Sequence, residues 1–239
     1  MKKITSQRDL VYRFFTVIGL VNAVFFILWI IIAPILNNKT CLKIILDEDR
    51  LIESMTAFLY LGAALLGFYY YFRKSKQRIP LYYLAFPILA LFCMLEEISF
   101  GYTLHRWFNA PVIAGKKMDA LHDFIEVITH LIRNNIPPMI YKTAFFIIVL
   151  GLIALAISLR KPLMAIYQKH PPLWYLSFWI LFNIAAQGLD VLIHGSIFNL
   201  STLLEELFEL NSAFALFYSI LAMKLLEQQS RNQNFSRLF

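Results

Sequence analysis

Between Phe14 and Leu36 the chain runs 23 residues without one charged side chain. A helix of about 20 apolar residues spans the hydrocarbon core of a bilayer. Backbone in that core must satisfy its own hydrogen bonds, which leaves helices and closed barrels as spanning structures. The run is longer than the roughly 7–15 residues of a secretory signal core, and no small-residue cleavage site follows it. It therefore reads as an uncleaved first transmembrane helix. Five further apolar stretches repeat the pattern, and the predicted spans are 14–36, 52–72, 80–104, 136–159, 173–197 and 203–226. With 59% hydrophobic and 15% charged residues, a chain of 239 residues has too little polar surface for an ordinary soluble domain. The expected fold is all-α, a single integral membrane domain of six helices over residues 1–239 plus one outer amphipathic helix. Pro80, Pro137 and Pro138 stand at span starts, where a missing N–H leaves no helical bond unmade. Pro87 falls inside the third predicted span and is expected to kink it.

Basic residues set the expected orientation. The N-terminus, the segments 73–79 and 160–172, and the C-terminal tail hold 14 of the 22 Lys and Arg residues. The opposite segments hold 8, so the positive-inside rule puts both termini in the cytoplasm. Of the 15 acids, only Asp9 and Glu227 then fall inside, and four of the five histidines fall outside. Acids contribute little to orientation, and charge against a bilayer is expensive. Their crowding on one side points to a polar or metal-binding site at the non-cytoplasmic mouth. The net charge of +7 sits in short segments between apolar runs, with no basic stripe and interleaved aromatics, so nucleic acid is not an expected partner.

The one long outer segment, 105–135, contains a predicted amphipathic helix over 119–133. Asp119, His122, Asp123, Glu126 and His130 recur at steps of three and four, opposite Leu121, Phe124, Ile125, Ile128 and Ile132. In the fifth span Asn183, Gln187, Asp190 and His194 form one polar stripe, which belongs against protein or a wet cavity rather than lipid. Asn183 and Gln187 fit interhelical hydrogen bonding. Asp190 and His194, one turn apart, suit a metal site, or an imidazole oriented by its acid.

Each remaining acid has a plain structural reading beside the functional one. Glu205 and Glu206 complement the dipole at the start of the sixth span, whereas Glu209 lies more than a turn inside it. Glu96 and Glu97 close the third span, where acids oppose the dipole, and ion pairing with Arg106 or Arg50 is the simplest account. Asp47, Glu48 and Asp49 read as solvated cap residues. Glu53 is followed on its face by Thr56, Ala57 and Tyr60, so it serves equally as cap or site. Phosphate loops, nucleophile elbows and His-Glu-x-x-His pairs are absent from the sequence. Cys41 and Cys93 form neither a metal-ligand pair nor a disulfide framework. His170, before Pro171-Pro172, reads as a cytoplasmic loop residue.

Four blocks carry a resemblance: Asp47-Glu48-Asp49-Arg50-Leu51-Ile52-Glu53, Glu96-Glu97-Ile98-Ser99-Phe100-Gly101, Leu121-His122-Asp123 and Glu205-Glu206-Leu207-Phe208-Glu209. In this order they resemble an uncharacterised family of bacterial multi-pass membrane proteins, whose hallmark is Glu-Glu-Ile-Ser-Trp-Gly followed later by Asn-Leu-His-Asn. This chain has Phe100 in place of the Trp, and Ala120 and Asp123 where those asparagines stand. The resemblance brings no activity. It implies that Glu53, Glu96, Glu97, His122 and Glu209 form one constellation, a set the spacing argument reaches independently.

The leading expectation is a multi-pass protein of the bacterial cytoplasmic membrane acting as a metal-dependent hydrolase or transferase on a lipid or lipid-linked substrate. His122, Asp190, His194 and Glu209 would hold a divalent ion, and Glu97, Glu53 or Glu96 would accept a proton from its bound water. Mixed imidazole and carboxylate ligands suit zinc first, then manganese or iron. Two other classes share the same residues: a non-catalytic membrane assembly or accessory protein, and a small cation- or proton-coupled transporter. No acid in the inner half of the spans completes a transport pathway, which weighs against the transporter.

Overall fold

The computed structural model describes residues 7–35, 51–73, 81–98, 112–113, 116–117, 131, 135–193 and 200–235. Among the described residues the chain is all-helical apart from a short antiparallel ribbon that pairs Val112 with Lys117 and Ile113 with Lys116. The described residues form seven helices in order: α1 Gln7–Ile35, α2 Leu51–Phe72, α3 Ala85–Glu97, α4 Pro138–Ser158, α5 Arg160–Lys169, α6 Pro171–Ile193 and α7 Leu200–Phe235. Among the described residues, three stretches are long and apolar enough to cross a membrane: Gln7–Ile31, Leu51–Phe72 and Thr202–Leu225. The 23 residues of α6 would extend about 34 Å at 1.5 Å each, also a membrane's width.

Several boundaries differ from expectation for local reasons. Helix α1 begins at Gln7, with Asp9 in its first turn complementing the dipole. Pro87 marks a helix start rather than a kink. It cannot donate to the carbonyl four residues back, and the chain enters as a 3₁₀ turn, Leu81–Leu84, before α3 begins at Ala85. The segment expected as a loop after residue 159 is helical from Arg160 to Lys169. Its run Leu163-Met164-Ala165-Ile166-Tyr167 contains no glycine, and helix propensity acts there whatever the flanking charges. The amphipathic helix expected over 119–133 lies outside the described residues except for Leu131.

Two compact units divide the chain: residues 1–94 with 170–239, and residues 95–169. In the first, α7 is the central helix and packs on α1, α2 and α6. Relative helix direction follows from matched positions. Leu10 clusters with Leu225, Phe14 contacts Tyr218 at 5.3 Å, and Phe25 clusters with Leu207 and Leu210, so α1 runs antiparallel to α7. Helix α6 is also antiparallel, with Tyr175 at 6.0 Å from Tyr218 and Phe182 at 6.1 Å from Phe208. Helix α2 is parallel to α7, since Ile52 clusters with Leu203 and Leu207 and Gly67 lies against Ile220. Tyr83 meets His170 at the start of α6, and α3 leads away from that end, antiparallel to α2.

Small residues bring the backbones together. Ala57, Ala63, Ala64 and Gly67 on α2 and Ala213, Ala215 and Ala222 on α7 are all buried. Where lipid supplies no hydrophobic drive between helices, close van der Waals packing of this kind holds them. One end of the unit carries an aromatic cluster, in which Phe14 meets Tyr175, Phe178, Trp174 and Tyr218 at 5.3–6.2 Å. Each edge-on pair contributes about 0.5–1.5 kcal/mol beyond its burial.

In the second unit, α4 has Pro137 at its N-cap and Pro138 at its first position, as the sequence predicts for a span start. Its described side chains, Phe146, Ile147, Ile148 and Leu155 among them, are mostly exposed and apolar. Backbone bonds from Leu159 to Leu155 and from Leu163 to Leu159 carry the helix into α5. Pro162 leaves the Ser158 carbonyl without its helical donor and separates the two helices.

Candidate functional site

Tyr60, Trp179 and Ser212 join three helices of the first unit through side-chain hydrogen bonds. The Tyr60 hydroxyl lies 2.6 Å from Ser212 Oγ, and Trp179 Nε1 donates to the Tyr60 hydroxyl at 3.3 Å. Ser212 Oγ donates to the Glu209 carbonyl at 2.7 Å. With the Ser212 proton committed there, the phenol donates to Ser212 Oγ. A directed chain results, from α6 through α2 to α7. Tyr60 and Ser212 are buried, so these bonds form where water does not compete. The arrangement leaves Ser212 a poor nucleophile, because its O–H donates to a backbone carbonyl rather than to a base and its lone pair accepts from Tyr60.

Each helix carries an acid in line with its member of the network. Glu53 precedes Tyr60 by seven residues, Asp190 follows Trp179 by eleven and Glu205 precedes Ser212 by seven. At about 100° per residue, seven and eleven steps return to within about 20° of the starting direction. All three displacements point to the same end of the unit, because α2 and α7 are parallel and α6 antiparallel. Glu53 and Glu205 lie about 10 Å along their axes from the network, and Asp190 about 16 Å. Glu209 is nearer, about 4.5 Å along α7, but turned about 60° from Ser212. Glu53, Glu205 and Glu209 are each half-buried. The backbone of Asp190 belongs to α6, and its side chain is outside the described set.

Beside these stripes stand further polar groups, and the Phe182–Phe208 ring contact at 6.1 Å. Thr56, buried on α2, returns its hydroxyl to the Ile52 carbonyl at 3.0 Å, and Asn183 donates to the Trp179 carbonyl at 2.8 Å. This bond of Asn183 is to its own helix. Glu53 stands in the first turn of α2, so the dipole reading holds for it. The same reading fails for Glu205 and Glu206. Helix α7 begins at Leu200, three residues earlier than predicted, and its first turn holds no acid. The seven-residue step from Glu205 to Ser212 is the sequence signal that places Glu205, beside Glu209, on the Ser212 face.

The expected site is only partly described. Glu96 and Glu97 are the last residues of α3 and belong to the second unit. His122 and His194 lie outside the described residues, so their relation to Asp190 and Glu209 is untouched. Among the described residues, no group of three or more His, Cys, Asp or Glu is placed to hold a metal ion. Cys93 is buried, and Cys41 lies outside the described residues.

Two amides had no sequence signal, Asn22 in an apolar run and Asn211 beside Ser212. Asn22 and Asn211 leave their Oδ1 atoms buried and without a hydrogen-bond partner among the described residues. Counting from the Phe14–Tyr218 contact, Asn22 is eight residues along α1 and Asn211 seven back along α7. Both therefore lie about 10–12 Å from that contact in one direction. His170, expected as a loop residue, is half-buried, with its Nδ1 3.0 Å from the Tyr83 hydroxyl. It ties the start of α6 to the turn before α3.

Compared with family models, curated proteins and solved structures, the chain matches none.

Proposed function

We propose that this chain is a six-span protein of the bacterial cytoplasmic membrane, with both termini in the cytoplasm and an acidic and histidine-bearing site at its non-cytoplasmic mouth. On this reading it is a metal-dependent hydrolase or transferase acting on a lipid or lipid-linked substrate. The observation that supports it is the alignment of Glu53, Asp190 and Glu205 above the Tyr60–Ser212–Trp179 chain, three carboxyl-bearing stripes directed to one end of one seam. Isolated cap residues have no reason to keep that register with a buried network. The alternating helix directions of the first unit are those that six consecutive spans require.

In the proposed site His122, Asp190, His194 and Glu209 hold the ion, and Glu53, with Glu96 and Glu97, is the source of a proton acceptor. A divalent ion in such a site lowers the pKa of its water towards about 7. The hydrogen-bonded network forms the floor, holding the three helices at fixed register while the acids meet the substrate from above.

Metal analysis of the purified protein, prepared without chelator, tests the reading. Stoichiometric divalent metal in the wild type, lost in His122→Ala and in His194→Ala, is the expected result. A metal-free wild type would sink it. An accessory role is the second reading, and the committed proton of Ser212 favours it, since no described hydroxyl in the seam is then set up as a nucleophile. It expects Asp190→Ala and His194→Ala cells to behave as wild type.

A further inference from the structure

Helix α5, Arg160–Lys169, joins α4 to α6 with one residue at each end, Leu159 and His170. None of its residues is buried. On a helical projection Leu163, Ile166 and Tyr167 fall on one side, with Arg160 and Met164 at its edge, while Lys161, Ala165, Gln168 and Lys169 fall on the other. On that side Ile166 is 45% exposed and Met164, at its edge, 53%, while Leu163 and Tyr167 are half-buried. Three of the ten residues are basic, Arg160, Lys161 and Lys169, and none is acidic.

We propose that α5 lies along the cytoplasmic surface of the membrane, its Leu163–Ile166–Tyr167 side turned into the lipid and its basic residues bound to anionic headgroups. The inference rests on the six-span reading with cytoplasmic termini. Both ends of α5 are then tied almost directly to spans that meet the membrane on the same side, so a helix about 15 Å long must run along the interface to join them. A short amphipathic helix rich in Lys and Arg is the type that settles there, its apolar face sunk at the headgroup boundary. Charge selects the occupant. The cytoplasmic leaflet carries anionic lipid, each nearby Lys or Arg is attracted to it, and the effect falls off within a Debye length. A protein partner recognised by this face would need acids opposite three bases as well as an apolar groove, and the face shows no groove-filling aromatic beyond Tyr167.

The test uses full-length protein in a Cys41→Ser/Cys93→Ala background, labelled with an environment-sensitive fluorophore at Ile166→Cys or at Ala165→Cys. It is reconstituted in phosphatidylcholine vesicles with and without phosphatidylglycerol. The label at 166 should be quenched severalfold more by nitroxide-bearing lipid than the label at 165, and the order should reverse for aqueous iodide. Phosphatidylglycerol should widen the difference, and high salt should narrow it. Arg160→Gln/Lys161→Gln/Lys169→Gln should abolish the dependence on phosphatidylglycerol. Equal iodide access at the two positions overturns the proposal, as does indifference to phosphatidylglycerol. Exclusion of iodide from position 166 without stronger quenching there by nitroxide-bearing lipid also overturns it, because protein rather than lipid would then cover the face. The orientation is read separately. A membrane-impermeant maleimide should modify Ala165→Cys in inside-out vesicles and not in intact cells. The opposite pattern would sink the six-span orientation while leaving the quenching result to stand by itself.

Discussion

Gly62 and Gly67 occupy the same helix with opposite surroundings. A Cβ at Gly67 would come 2.8 Å from Pro87 Cβ and 3.0 Å from Ile220 Cδ1, while one at Gly62 would meet only Phe217 at 3.6 Å. The Pro87 ring is rigid and cannot yield, so Gly67→Ala should lose about 1–3 kcal/mol to overpacking. Gly62→Ala should be neutral or slightly stabilising, since alanine is the better helix former. Thermal unfolding in detergent distinguishes them. Tyr60→Phe should also destabilise, by about 0.6–2 kcal/mol, because hydrogen bonds between membrane helices have that range. A double-mutant cycle with Ser212→Ala should show coupling of the same order, and zero coupling would mean that the bond contributes nothing. In the sequence Tyr60 follows Glu53 by seven residues and Ser212 follows Glu205 by seven, so each stands on an acid-bearing face. Their bond was not legible there, because 152 residues separate them and nothing local specifies the pairing. Asn22 was illegible for a related reason: one amide in an apolar run has no period to reveal where it points.

At the scale of the element, α7 decides how its acids are read. Because it begins at Leu200, Glu205 lies beyond the first turn and the dipole no longer explains it. Cysteine scanning follows directly. Glu205→Cys and Glu209→Cys should react with a water-soluble maleimide, and Leu203→Cys and Leu207→Cys, buried against α1 and α2, should not. Equal reactivity at all four positions would remove the seam. Helix existence was legible wherever apolar length and proline position agreed, as in α2 and α4. It was less so where composition served as a proxy for structure. The basic segment after residue 159 read as a loop because charge marks the side of a membrane, yet charge says nothing about whether a backbone coils.

For the whole molecule, the prediction concerns sidedness. The first unit collects Glu53, Asp190, Glu205, Glu206 and Glu209 at one end, and Arg8, Arg13, Arg73 and Lys224 at the other. Topology reporters fused after residues 40 and 110 should read as external, and after residues 76 and 165 as cytoplasmic. A reversed pattern would move the acids to the cytoplasm and end the proposal of an external site. The metal ligands draw on segments far apart in the chain, so their convergence is a property of the assembled molecule that no helix shows by itself.

The sequence by itself determined that the backbone is helical and apolar enough for a bilayer, that its acids and bases separate along the chain, and where most helices start. These are local properties, set by run length, proline and the charges that flank each run. Only the tertiary structure decided which faces meet. A helix apolar on nearly every side has no stripe to announce its partner, so the choice fell to small residues that allow close approach and to a few hydroxyl and indole groups that lipid cannot satisfy. Gly67 against Pro87 and Tyr60 against Ser212 are those decisions, and they put Glu53, Asp190 and Glu205 in register above one buried chain of hydrogen bonds.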